Sequence, residues 1–491
     1  MGVFLWRIIE RLWGAPALIL ILTVGLYLSL RLRFAQLYLL PEALRSFFAG
    51  MKPGGSRSSF RAACTALAAT VGTGNLAGVA GAMAIGGPGS IFWMWICAFL
   101  GMATKFSEAS LAVKYRRRDC NGEFVGGPMY MIRHGMGKRW HWLAWLYSFF
   151  GVIAAFGVGN ATQVNTVISG INAAAAIFGM QQTFTGDLLM GIGLSVLIAS
   201  MLLGGAKRIG TIAERLVPLA AAAYLLLGVA VLVLRAEQIP GAFGDIFRGA
   251  FSPRAVTGGM VGSAFAALRI GVSRGVFTNE AGMGTASIAH AAAQVEHPAQ
   301  QGMMGIVEVF LDTIVICTMT ALVILVSGVP IPYGNDTGME LTSRAFSQVC
   351  GSWVNVFLAG ALCCFAIATV LGWGLYGIRC AQFLLGHRAW KPFVLLQAGA
   401  VIVGAVLNTG TVWLLSEIVN GLMAVPNLIA LAALSGDAAQ IAKDYKRTGG
   451  TYENIHQRQP LRTFAHAKVP PPGGQGRAAG KKDPPSEYRP A

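Results

Sequence analysis

The sequence predicts an all-α polytopic membrane protein of about 11 transmembrane helices, arranged as a five-plus-five inverted repeat with an extra N-terminal helix. Three observations lead there. The chain is too apolar to cover itself in water, its basic residues alternate sides from loop to loop, and one hydrophobic run is interrupted by glycines.

Of 491 residues, 55% are apolar and 12% charged, with a mean hydropathy of +0.59. A soluble domain carries about 25% charged residues, so the remaining solvent must be lipid. A span needs about 20 mostly apolar residues. That criterion gives spans near 14–30, 62–83, 89–113, 141–169, 187–205, 215–234, 255–273, 303–328, 353–378, 392–409 and 411–434. The first run ends in Leu-Arg-Leu-Arg without a small-residue cleavage site, and Glu10 sits in what would be a basic leader, so it reads as a retained helix rather than a signal peptide.

The net charge of +17 comes from 38 basic and 21 acidic residues. Thirty of the basic residues fall in alternate loops and in the C-terminal tail, and six fall in the opposite loops. By the positive-inside bias this places the tail in the cytoplasm and, with 11 spans, the N-terminus outside. The charge therefore records topology, not a nucleic-acid partner. Three regions follow: residues 1–60, a peripheral helix and cytoplasmic loop; 61–435, the inverted-repeat core; and 436–491, a basic, disordered cytoplasmic tail rich in Pro and Gly. The eight cysteines lack Cys-x-x-Cys spacing and the seven histidines lack a metal-ligand pattern, so no cofactor is implied.

The second span carries the interruption. Thr70, Gly72, Thr73, Gly74 and Asn75 occupy the middle of an apolar stretch, followed by Gly86-Gly87-Pro88-Gly89. Each Gly lowers helix stability by about 1 kcal/mol relative to Ala. Non-helical backbone at membrane depth survives only where it lines a cavity or is buried in protein. Two readings stand: a broken helix that binds a solute and a cation, or a helix-packing face with Asn75 bonded to a neighbour. A second interrupted segment in the other half would point to a transporter site, and Gly258-Gly259 to Gly262-Ser263 in the seventh span is the counterpart five spans on.

The motifs resemble one family. Gly72-Thr73-Gly74-Asn75, Gly86-Gly87-Pro88-Gly89, Phe92-Trp93-Met94-Trp95, Gly101-Met102-Ala103-Thr104-Lys105-Phe106, Gly126-Gly127-Pro128-Met129-Tyr130, the run Arg274 to Gly284, His297-Pro298, Leu371-Gly372-Trp373 and Leu422 to Leu428 are similar to the alanine/glycine:cation symporters, the sodium:alanine symporter family. The resemblance covers about residues 60–435. It implies a leucine-transporter-type fold in the bacterial inner membrane that carries small neutral amino acids with sodium. The partners are then the amino acid, sodium and lipid, with no obligate protein partner evident.

Site roles follow from the resemblance. The amides of Thr73 and Gly74 at a half-helix N-terminus would meet the substrate carboxylate. Gln163 would accept from its ammonium, ahead of Asn160. Phe265 and Leu268 would wall the side-chain pocket. Carbonyls of Ala68 and Val71 with the Thr369 hydroxyl would ligate sodium, a hard cation that selects oxygen. The Thr70 carbonyl and the Asn75 side chain would form a second sodium site. Asn279 and Glu280 would anchor an inner gate from a cytoplasmic loop. Two departures from the family pattern stand out: Ala368 where a second hydroxyl is usual, and Gly374-Leu375 with Ile378 after Trp373.

Among intramembrane charges, Lys105 and Glu108 are spaced i, i+3 and read as a local ion pair. Glu308 and Asp312 read as structural or gating groups, with proton coupling through Asp312 as the alternative. A membrane enzyme would need a convergent nucleophile and base, which no motif supplies. A channel would show a pore ring repeated by oligomerisation, whereas the chain carries one pair of interrupted helices.

Overall fold

The computed structural model describes residues 15–448 except 53–56, 177–178, 252–263, 335–337 and 408. Helices dominate the described residues, with one two-stranded hairpin pairing Arg117–Arg118 with Phe124–Val125. Seven helices are long and apolar enough to cross a membrane, and three bent pairs qualify if each counts as one span. Ten of the 11 predicted spans thus have counterparts. The seventh, 255–273, begins among residues outside the described set.

The N-terminal helix α1 (Ala15–Arg31) leans on α5 (Gly89–Tyr115) and turns 81° into α2 (Ala35–Gly50). Next come α3 (Arg57–Thr70) and α4 (Gly74–Gly86), which bend 51° across Val71-Gly72-Thr73. The central helix is α5. It packs against α1, α10 (Ala264–Asn279) and α12 (Pro298–Ser327) and is largely buried inside the protein, which explains how Lys105 and Glu108 can lie on an otherwise apolar helix.

The other wall is built from α6 (Lys138–Asn172), α7 (Phe184–Leu202), α8 (Gly205–Leu234), α14 (Val354–Leu385), α15 (Trp390–Val406) and α16 (Thr409–Ala433). Between α8 and α10 lies α9 (Ile239–Phe251), packed on α5. The short α11 (Thr285–His290) follows α10 after a break, and α13 (Met339–Cys350) precedes α14. Start signals fit the sequence: α12 opens on His297-Pro298 with a capping box completed by Gln300, and α7 on Thr183, whose hydroxyl accepts the Gly186 amide.

The C-terminal region differs from expectation. Residues after 434 begin not as a disordered tail but as α17 (Ser435–Thr448), with Asp437 in its first turn and Lys446 and Arg447 in its last, as the helix dipole favours. It folds back on the bundle: Tyr445 donates to Glu42 at 2.5 Å, Lys114 pairs with Asp437 at 3.0 Å, and Tyr27 bonds Ser435 at 2.9 Å. Its buried stripe (Ala438, Ile441, Ala442, Tyr445) keeps helical spacing, but 14 residues are too few to cross a membrane. Residues 449–491 lie outside the described set.

Candidate functional site

The first break has a definite hydrogen-bond cause. The α3 ladder runs to Val71, whose amide donates to Leu67 at 2.8 Å. The next amide, Gly72, donates instead to Asn75 Oδ1 at 2.8 Å, and the Asn75 amide donates to the Gly72 carbonyl at 3.3 Å. The carbonyls of Ala68 and Val71 thereby lose the donors four residues on that an α-helix would supply. Asn75 thus holds the helix open with a side-chain oxygen that reaches back to the amide three residues before it. Its amide nitrogen reaches the Asp312 carboxylate at 2.7 Å and the Asp312 carbonyl at 3.2 Å, which ties the break to α12. Gly72 is required for space: a Cβ there would stand 2.8 Å from Thr369 Oγ1 and 3.6 Å from Gln163 Oε1.

A second break follows α10. Glu280 takes a left-handed φ of 53°, and Gly282 (94°) and Gly284 (78°) follow before α11 begins. A left-handed non-glycine residue costs roughly 1–2 kcal/mol. Glu108 Oε1 clamps this turn by accepting the amides of Gly282 (3.0 Å) and Gly284 (3.1 Å) and the side-chain amide of Asn427 (2.7 Å). At Gly284 a Cβ would also strike Pro128 Cγ at 2.4 Å, so no other residue fits.

Between the two breaks, α6 and α14 lies a narrow cavity of about 10 Å³, room for about one water molecule. Thr70, Gly72, Thr73 and Gly74 line it from the first break, and Phe277 and Glu280 from the second. Val158 and Gln163 contribute from α6, Thr369 and Trp373 from α14. Two bonds cross it: Thr73 Oγ1 donates to Gln163 Oε1 at 3.1 Å, and Trp373 Nε1 donates to Glu280 Oε1 at 2.9 Å. A π-turn at Gly157–Ala161 lets α6 approach; Gln163 donates back to its Val158 carbonyl at 3.2 Å, which aims the side-chain oxygen at Thr73.

Of the residues proposed from sequence, Thr70, Thr73, Gly74, Gln163, Thr369 and Glu280 meet at this cavity. Ala68 and Val71 are buried beside it. Thr369 Oγ1 donates to the Phe365 carbonyl at 3.0 Å, leaving its lone pairs free to ligate. Thr70 Oγ1 back-bonds to its own helix at 3.3 Å.

Several expectations change. Phe265 is 58% exposed at the start of α10, and neither it nor Leu268 lines the cavity; Phe277, three helical turns on, does. The break expected at 258–263 lies outside the described residues, whereas the observed one falls at 280–284. Asn279 and Glu280 are not in a surface loop: they are 0% and 3% exposed, with Asn279 donating to Thr313 at 3.2 Å. Asn160 donates to the Gln397 carbonyl at 2.8 Å and so serves packing of α6 on α15. Lys105 does not pair with Glu108. It reaches across to Glu308 on α12 at 2.8 Å, because α5 and α12 are in close contact and Glu108 is already committed to the second break. The signal for that break was present as Asn279-Glu280-Ala281-Gly282-Met283-Gly284, but its polarity resembles an ordinary loop.

The likeness to known proteins agrees with this geometry. The crystal structure of MhsT in complex with L-phenylalanine superposes with a TM-score of 0.55 at 13% identity, covering 78% of this chain and 97% of that one. The helix bundle with its broken helices thus has a fold of the leucine-transporter type. Residues 3–458 match the model of the sodium:alanine symporter family. An uncharacterised transporter of Haemophilus influenzae is 45% identical over 88% of this chain and 94% of its own. The sodium/alanine symporter AgcS of Methanococcus maripaludis is 43% identical over 86% and 92%. The chain belongs to the sodium:alanine symporter family. It is a multi-pass membrane transporter, not an enzyme.

Proposed function

We infer that the protein couples sodium to the uptake of small neutral amino acids (alanine, glycine, serine and D-alanine) across the bacterial inner membrane by alternating access. One observation carries this reading: the first break frees the Ala68 and Val71 carbonyls beside Thr369 while it presents the Thr73 and Gly74 amides to the same small cavity. The carbonyls and hydroxyl offer oxygens to sodium. The amides sit at the N-terminal end of α4 and offer positive potential to a carboxylate. Gln163 Oε1 accepts from the ammonium, and Phe277 with Val158, in place of Phe265 and Leu268, limits the side chain. Sodium stabilises the open break, so ion and substrate reinforce each other's binding. A second sodium would take the Thr70 carbonyl and Asn75 Oδ1, which keeps a lone pair after accepting the Gly72 amide.

The bonds from Glu280 to Trp373 and from Asn279 to Thr313 fasten the second break to α14 and α12, and gating breaks them. The N-terminus lies outside and the tail in the cytoplasm, as the basic loops require. Uptake of labelled alanine into proteoliposomes tests the reading: an inward sodium gradient should drive accumulation, and gradient-independent equilibration would sink it. Proton coupling is the alternative, favoured by Asp312, a buried carboxylate whose bonding partners Asn75 and Thr313 are neutral. Uptake driven by a pH gradient with choline in place of sodium would decide for it.

A further inference from the structure

Four carboxylates lie buried around the two breaks: Glu108, Glu280, Glu308 and Asp312, none more than 3% exposed. Lys105 is bonded to one of them, Glu308, which also faces His290 Nε2 at 3.1 Å. His290 Nδ1 faces the Gln301 amide nitrogen at 2.6 Å, so a singly protonated ring carries its proton toward Glu308. Glu108 is met by two backbone amides and Asn427, and Asp312 by Asn75 and Thr313. Carboxylates therefore outnumber basic side chains in this interior, and a buried carboxylate left ionised is costly without a partner.

Glu280 differs from the other three because it lines the cavity. The other side chains lining it are neutral. Its own partners are neutral as well: Trp373 Nε1 on Oε1 at 2.9 Å and Thr285 Oγ1 on Oε2 at 2.5 Å. Each carboxylate oxygen thus holds one donor and keeps capacity for another. The residue is kept in a left-handed backbone conformation (φ 53°), and such strain persists only where surrounding contacts over-determine it.

We propose that Glu280 is the charge partner of the substrate ammonium, and that this ion pair is what makes the cavity select amino acids over uncharged or anionic analogues. The proposal rests on the symporter reading above and adds to it the group that reads the amine. An ammonium fits better than a bare cation. It needs hydrogen-bond acceptors, which Glu280 and Gln163 supply, whereas the released carbonyls that suit sodium belong to the first break. Trp373 and Thr285 act as positioning residues that hold the carboxylate toward the cavity.

The test compares L-alanine with L-lactate, which replaces the ammonium by a hydroxyl, as competitors of labelled alanine on detergent-solubilised full-length protein at fixed sodium. Wild-type protein should prefer alanine by at least roughly 30-fold, within the range of a charge-assisted hydrogen bond. Glu280→Gln should weaken alanine about 10- to 100-fold and tighten lactate, because it removes both an attraction and a repulsion. A purely structural role would weaken both ligands together, and that result overturns the proposal. Wild-type protein that binds lactate as well as alanine overturns it without any variant. If Glu280→Gln is not recovered folded, Glu280→Asp keeps the charge: it should retain the alanine preference at lower affinity, and loss of that preference refutes the assignment. Wild-type protein with no sodium-dependent alanine binding would instead sink the symporter reading.

Discussion

Replacing Lys105 by methionine separates two accounts of the buried charges. The side chains of Lys105 and Glu308 are 0% exposed and their charged atoms lie 2.8 Å apart. Lys105→Met keeps most of the apolar stem and leaves the Glu308 carboxylate without its ammonium. Breaking a buried pair by removing one partner costs about 3–5 kcal/mol, because the remaining charge stays desolvated. Lys105→Met/Glu308→Gln removes both charges, so most of that loss should return, giving a coupling of about 2–3 kcal/mol. Lys105→Met combined with Glu108→Gln should be close to additive or worse, since Glu108→Gln also strips the clamp from the Gly282 and Gly284 amides. Equilibrium unfolding in mixed micelles, followed by tryptophan fluorescence, reads all variants. Stronger coupling of Lys105 to Glu108 than to Glu308 would refute the reasoning and restore the i, i+3 pair read from the sequence.

Other outcomes follow from the same geometry. Gly72→Ala places a Cβ 2.8 Å from Thr369 Oγ1 and should weaken alanine binding at least about tenfold with a size-exclusion profile like wild type. Asn75→Ala removes the acceptor of the Gly72 amide and a donor to Asp312, so it should lower thermal stability by about 2–4 kcal/mol as well as transport; unchanged stability would show that the break does not depend on it. Thr369→Ala should raise the sodium concentration for half-maximal uptake several-fold while Thr369→Ser stays near wild type. Truncation after Thr448 should leave melting unchanged, whereas truncation after Leu434 removes the Tyr445–Glu42 and Lys114–Asp437 contacts and should lower it measurably.

The sequence by itself determined the solvent, the all-helical class and the first break, because each is a local property of composition. Hydropathy finds spans, and Gly72 to Asn75 cannot form an unbroken helix in lipid without partners. Thr73 stood out in the same glycine-rich run, whereas Gln163 and Thr369 came from the family resemblance. The tertiary structure decided which charges meet. Lys105 reaches Glu308, 203 positions away, and not its helical neighbour Glu108, because the partner depends on how α5 packs on α12. It also moved Glu280 from an apparent loop to the cavity wall: a polar run with three positive φ angles looks alike on a surface and between two half-helices. What distinguishes them is the burial imposed by α5 and α14, which no local stretch encodes.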